Sequence, residues 1–162
     1  MGCHLRRKMR INKLITKPVE DIIDWALVEV SMYSPEAAQL VYRTGMAESG
    51  YRALRGATKG NPAIGFWQVE PATIDDCGDN FISFRQELMR SILHLGFHID
   101  DRNMSVLSNL ALQIVFCRIK YWRFPKKLPE LNDLEAQAGY WKDCYNSKLG
   151  RGTIKHFMEA NG

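Results

Sequence analysis

Among 162 residues there are only four cysteines, four histidines and six prolines. Cys3, Cys77, Cys117 and Cys144 stand singly, with no C-x-x-C pair and no histidine at ligand spacing, which argues against a zinc site. Nothing marks an oxidising compartment, so reduced, mostly core-filling thiols are expected, with one adventitious disulfide as the other reading. His4, His94, His98 and His156 show no pairing with a nucleophile, and Gly96 interrupts the His94-His98 step, so no metal and no cofactor are expected. Long apolar runs are missing too. The longest, residues 25–30 and 110–116, fall well short of the roughly 20 apolar residues of a membrane helix, and a soluble chain with no transmembrane segment is expected. The basic start, with Arg6, Arg7, Lys8 and Arg10, leads into residues 11–17, which are too short and polar for the apolar part of a signal peptide. Arg6 also stands where a myristoylation motif wants Ser or Thr. Internal repeats and low-complexity segments are absent.

What is present is enough for one domain of ordinary size: 46% of the residues are hydrophobic. The net charge is +4, much of it from residues 6–10 and from Lys120, Arg123, Lys126 and Lys127. A basic surface favours polyanions, whether nucleic acid or the anionic bacterial wall and membrane surfaces, and a solvated face that aids solubility is the other reading. Residues 1–16 read as a basic arm and residues 17–162 as the domain.

Apolar residues recur at three- and four-residue steps, which predicts a mainly α fold. Pro18 suits the first turn of a helix to about Met32, burying Val19, Ile22, Ile23, Ala26, Leu27 and Val30. Ser34 is the expected N-cap of a second helix from Pro35 that carries Ala38, Leu40, Val41, Met46 and Ala47 and stops near Gly50. Residues 56–65 have loop chemistry. Further helices are expected at 84–95, 105–122, 134–146 and 153–160. Trp25, Phe97, Phe116 and Trp122 are expected inside. Tyr51, Phe66, Trp67, Tyr140 and Trp141 are divided between core and a substrate groove.

Cleaving a glycosidic bond needs a proton for the leaving oxygen, usually from a carboxylic acid kept protonated by an apolar pocket. Glu48 follows Gly45-Met46-Ala47 at a helix end, where the dipole also disfavours its anion. A surface Glu at a helix end has the same local sequence. What separates the two is the wider pattern. Glu48-Ser49-Gly50-Tyr51 is followed by Gly65-Phe66-Trp67-Gln68-Val69-Glu70-Pro71-Ala72-Thr73. Then comes Gly139-Tyr140-Trp141-Lys142-Asp143-Cys144-Tyr145-Asn146, with Gly150-Arg151-Gly152-Thr153 after it.

These ordered blocks resemble the soluble lytic transglycosylases of the lysozyme superfamily, over residues 35 to 157. The resemblance implies a lysozyme-like fold and cleavage of peptidoglycan glycan strands, at the β-1,4 bond between N-acetylmuramic acid and N-acetylglucosamine. It implies Glu48 as the single catalytic acid/base, with Ser49, Gln68, Tyr145 and Asn146 near sugar or intermediate and Trp141 offering a stacking face. The third block departs from the family's Tyr-Asn-Ala-Gly by reading Tyr-Asn-Ser-Lys. Glu70 is a second departure, a carboxylate where many relatives are neutral. It could activate water, making the chain a hydrolytic muramidase, or cap the next turn. Asp75 and Asp76 read as dipole partners opening a helix.

The Trp67-Gln68-x-Glu70-Pro71 variant resembles bacteriophage-encoded members. It implies a virion or host-cytoplasm location, with virion or tail proteins as possible partners. A catalytically inert wall-binding or virion structural protein of the same fold is the competing class. A nucleic-acid module is the third, lacking any groove-reading motif.

Overall fold

Proline and capping side chains set most of the helix starts. The computed structural model describes residues 17–54, 60–146 and 150–162. The basic arm, and the part of the 56–65 loop before Gly60, lie outside the described residues. Pro18 opens α1 (Pro18–Glu29) and Pro35 opens α2 (Pro35–Glu48), where Ser34 Oγ accepts from the Ala37 amide at 3.1 Å as a true N-cap. Then follow α3 (Pro71–Asn80), a 3-10 turn, α4 (Gln86–His94), α5 (Arg102–Leu107), α6 (Leu110–Trp122) and α7 (Leu134–Trp141). A π turn (Lys142–Asn146) continues α7, and α8 (Ile154–Asn161) ends the chain, capped by Thr153. Among the described residues β pairing is limited to one antiparallel bridge, Ile64 to Val69. The fold is mainly α.

The arrangement centres on α6. From Ala111 to Ile119 every residue is buried, as is Tyr121, so this helix is covered on all sides rather than along one stripe. α1, α2 and α3 pack on it, and α8 packs on α2 and α7. The core takes Ile23, Ala26 and Leu27 from α1, Leu40 and Val41 from α2, Ile74 from α3 and Phe157 from α8.

Several expectations are corrected. The helix expected over 105–122 is two helices, because the Asn109 side chain both caps α6, accepting from the Leu112 amide, and donates to the Leu95 carbonyl at 2.7 Å. α3 was given no bounds among the expected helices, and it starts at Pro71, four residues before the Asp75 that was expected to open a helix. Within it Asp75 and Asp76 do not open the helix but pair sideways, Asp75 with Arg102 and Asp76 with Arg123, while Asp79 joins Arg102 at 2.8 Å. Phe97 and Phe116 are inside, but Trp25 is 42% and Trp122 48% exposed. Trp122 falls at the end of α6, where its ring instead meets the Arg118 guanidinium at 4.7 Å. Cys77 and Cys117 are buried free thiols and Cys144 is a half-buried one. No helix among the described residues is long and apolar enough to cross a membrane.

Candidate active site

Glu48 is the last residue of α2, held there because the next residues turn the chain sharply: Gly50 and Tyr51 both take φ near +57°. Tyr51 tolerates that conformation through tertiary contacts. Its ring packs against Phe66 and Trp67, its hydroxyl donates to the Tyr42 carbonyl at 2.7 Å, and a side chain at Gly45 would stand 2.5 Å from it. The reversal leaves Glu48 half-buried, with Oε1 accepting from Trp141 Nε1 at 2.9 Å.

The second block forms a tight loop closed by the Ile64–Val69 bridge, with Gly65 at φ +74° and Gln68 at φ +50°. Gly65 is required twice over, by its backbone and by Gln113, whose amide would lie 2.6 Å from a Cβ there. That Gln113 oxygen accepts from the Phe66 amide at 2.8 Å, tying the loop to α6. The third block is the end of α7 and the π turn. Lys142 Nζ donates to Asn146 Oδ1 at 2.9 Å and to the Gly150 carbonyl at 2.8 Å, and Gly152 lies so close to the Trp141 ring that a Cβ would collide with it.

Three hydrogen bonds close these blocks on one another. Ser49 Oγ donates to the Phe66 carbonyl at 2.7 Å, joining the first to the second. The Tyr145 hydroxyl donates to the Trp67 carbonyl at 2.6 Å, joining the second to the third. The Trp141 indole on Glu48 joins the third to the first. Segments nearly a hundred residues apart therefore meet around one carboxyl group.

That carboxyl is electrostatically unusual. Burial pushes the Glu48 carboxyl above its ordinary value, partly opposed by the Trp141 hydrogen bond and by the positive charges of Lys120 and His156. Burial likewise raises the Tyr145 phenol well above its ordinary value, so it stays a neutral donor. A half-buried carboxyl whose pKa is raised by burial, with one fixed donor, is suited to giving a proton and taking it back.

The expected site residues divide by what they touch. Gln68 and Asn146 are half-buried, the former donating Nε2 to the Gly65 carbonyl at 2.8 Å. The Ser49 hydroxyl donates to the Phe66 carbonyl and accepts from the Tyr51 amide, so its hydrogen is committed to the fold. Trp141 is corrected as well: at 1% exposure its ring, packed 5.3 Å from that of Phe157, has no open face for stacking. Its contribution is the indole N–H on Glu48. Tyr145 is buried, with its hydroxyl on Trp67. Trp67 and Tyr140 are buried also, and Tyr51 and Phe66 half-buried. Glu70 is exposed at the N-cap of α3 but makes no capping bond with its side chain, so the capping role does not hold.

Two residues near Glu48 were not singled out from the sequence. His156 Nε2 lies 2.7 Å from the Ala47 carbonyl, which can only accept, so that nitrogen carries the proton. Lys120 was counted with the basic surface, yet its ammonium is turned inward, 2.7 Å from the Tyr145 carbonyl and 4.0 Å from the Tyr145 ring centroid. A lysine in a helix apolar on every side was the available signal. Among the described residues no cluster of His, Cys, Asp and Glu could hold a metal ion. A cleft of about 600 Å³ lies elsewhere, between α1, α2 and the C-terminus, and Glu48 does not line it. Compared with protein-family models, curated proteins and solved structures, the chain matches none.

Proposed function

We propose that the chain is a peptidoglycan-cleaving enzyme of lytic-transglycosylase type, with a lysozyme-like arrangement of its helices. Glu48 protonates the oxygen of the β-1,4 bond between N-acetylmuramic acid and N-acetylglucosamine. The bond from that oxygen to the muramyl C1 breaks, the muramyl 6-hydroxyl attacks C1, and its proton returns to the Glu48 carboxylate. The product ends in a 1,6-anhydro sugar, and no second carboxylate is needed.

The observation that carries this reading is the closure of three sequence-distant blocks around Glu48 by hydrogen bonds from Ser49, Tyr145 and Trp141. The indole donor reaches Glu48 from 93 residues away, tying the third block to the first at the carboxyl itself. Gln68 and Asn146, both half-buried on the two blocks flanking Glu48, are the residues to which the proposal assigns the N-acetyl and hydroxyl groups of the glycan.

Glu70 supports a second reading. Its exposed carboxylate, next to the Gln68 loop and within the field felt by Lys120, is free of a capping role and suits a base that activates water. The product would then be a reducing sugar, as from a muramidase. The phage-type form of the 67–71 segment adds a setting to either reading, a virion or an infected host cell, with virion or tail proteins as neighbours.

Digestion of purified peptidoglycan by the wild-type protein and by Glu48→Gln, followed by mass analysis of the soluble muropeptides, separates the readings. Anhydro products that disappear in the variant support the transglycosylase. Products heavier by one water, lost in both Glu48→Gln and Glu70→Gln, support the muramidase. Tight wall binding by a folded wild type that releases nothing contradicts both and favours an inert wall-binding protein.

A further inference from the structure

α6 is buried all round yet carries two cations, Arg118 and Lys120. Arg118 is accounted for by packing: its guanidinium donates to the Met32 carbonyl at 3.2 Å and lies over Trp122. Lys120 is placed differently. Its ammonium donates to the Tyr145 carbonyl at 2.7 Å, in the π turn where a helix runs out of amide partners for its last carbonyls. Glu48 marks the end of a second helix, α2. The two helix C-termini, each with a negative dipole end, are joined by the Trp141–Glu48 hydrogen bond, and the one at the π turn carries the carbonyl on which the Lys120 ammonium is anchored.

The surrounding charges fit that placement. Glu48 is faced from α6 by Lys120, Cys117 and Tyr121, from the π turn by Tyr145, and from α8 by His156. Cys117, Tyr121 and Tyr145 are pushed up by burial and stay neutral, which leaves Lys120 and His156 as the sources of positive charge. His156 is at the solvent edge, where water screens it, and Lys120 is inside. Burial lowers the Lys120 pKa, and Glu48, Cys117, Glu70 and Cys77 oppose that lowering.

We propose that Lys120 is a positioning residue of the Glu48 site: anchored on the Tyr145 carbonyl, its ammonium fixes the turn carrying Tyr145 and Asn146 and supplies the charge against which Glu48 releases its proton. The proposal rests on Glu48 being the acid. In the desolvated pocket an isolated Glu48 carboxylate would hold its proton too tightly to give it up to the leaving oxygen. Lys120 lowers that cost without itself donating. In the second half of the cycle the proton returns to Glu48 from the attacking hydroxyl, and the ammonium is unchanged throughout.

The test is a titration of the Glu48 carboxyl by carbon-13 NMR in glutamate-labelled protein, its resonance assigned by its loss in Glu48→Gln. Lys120→Met is expected to move the midpoint upward by roughly one pH unit, and Lys120→Arg to keep it at the wild-type position. The alkaline limb of kcat on peptidoglycan follows the same shift, and kcat itself falls about tenfold, the factor equivalent to one pH unit. An unchanged midpoint in Lys120→Met, or an equal shift in Lys120→Arg, overturns the proposal. Should Lys120→Met fail to fold, Lys120→Gln, which keeps a donor and loses the charge, gives the same comparison. A wild type without glycan cleavage overturns the enzymatic reading alone, because the titration still decides the role of Lys120.

Discussion

Glu48 combines burial, a fixed indole donor and a nearby ammonium, and its ionisation consequently bears on stability as well as on chemistry. Its pKa is raised in the folded state by burial. A carboxyl so placed contributes most below its unfolded value, about 4.3, and loses that contribution as pH rises towards the folded value. Glu48→Gln cannot ionise and keeps an oxygen to accept from Trp141. The variant is therefore expected to melt higher than wild type at pH 7, with the difference shrinking to nothing near pH 3. Thermal unfolding across that range measures it, and a variant less stable than wild type at pH 7 contradicts the burial argument. The same residue shows how far a sequence can be read. Gly45-Met46-Ala47 before it pointed to an apolar setting, but neither the Trp141 donor nor the Lys120 charge is a local property, so both had to wait for tertiary structure.

At the scale of elements, the caps and breakers were the legible part. Pro18, Ser34-Pro35 and Thr153 mark helix starts that the structure retains, because capping is decided within a few residues. The boundary at Ser108-Asn109 was lost in an apolar periodicity that runs through it. The bounds of α3 were missed because its sequence, PATIDDCGDN, is rich in weak helix formers and its Arg102 and Arg123 partners lie 23 or more residues away. The Gly65–Gln68 loop is the element on which the site depends most. Gly65→Ala meets both an unfavourable φ and the Gln113 amide, and is expected to cost about 2–4 kcal/mol. Gly60→Ala has a similar φ of +83° but nothing within 4 Å, and is expected to cost only about 1 kcal/mol. Urea unfolding of the two variants checks the difference, and equal losses would remove the packing part of the argument.

On the scale of the whole molecule, charge is unevenly distributed. Residues 1–16 contain five basic residues, Arg6, Arg7, Lys8, Arg10 and Lys13, and no acidic ones, so the +4 of the whole chain becomes −1 for residues 17–162. Retention on an anionic polymer should then depend on the first residues and on salt. Replacing Arg6, Arg7, Lys8 and Arg10 by Gln is expected to weaken binding to insoluble peptidoglycan at 50 mM salt while leaving the melting temperature unchanged. Sedimentation of the wall with bound protein measures it. Binding that is unaffected would place the wall contact on residues 17–162.

Glu48 as the acid of a glycan-cleaving site is tested most directly by digestion. Purified peptidoglycan incubated with wild type is expected to release muropeptides ending in 1,6-anhydro sugar, and Glu48→Gln, once circular dichroism has shown it to be folded, is expected to release at least about a hundredfold less, the low end of what a general acid contributes. A folded Glu48→Gln that releases muropeptides at the wild-type rate contradicts it.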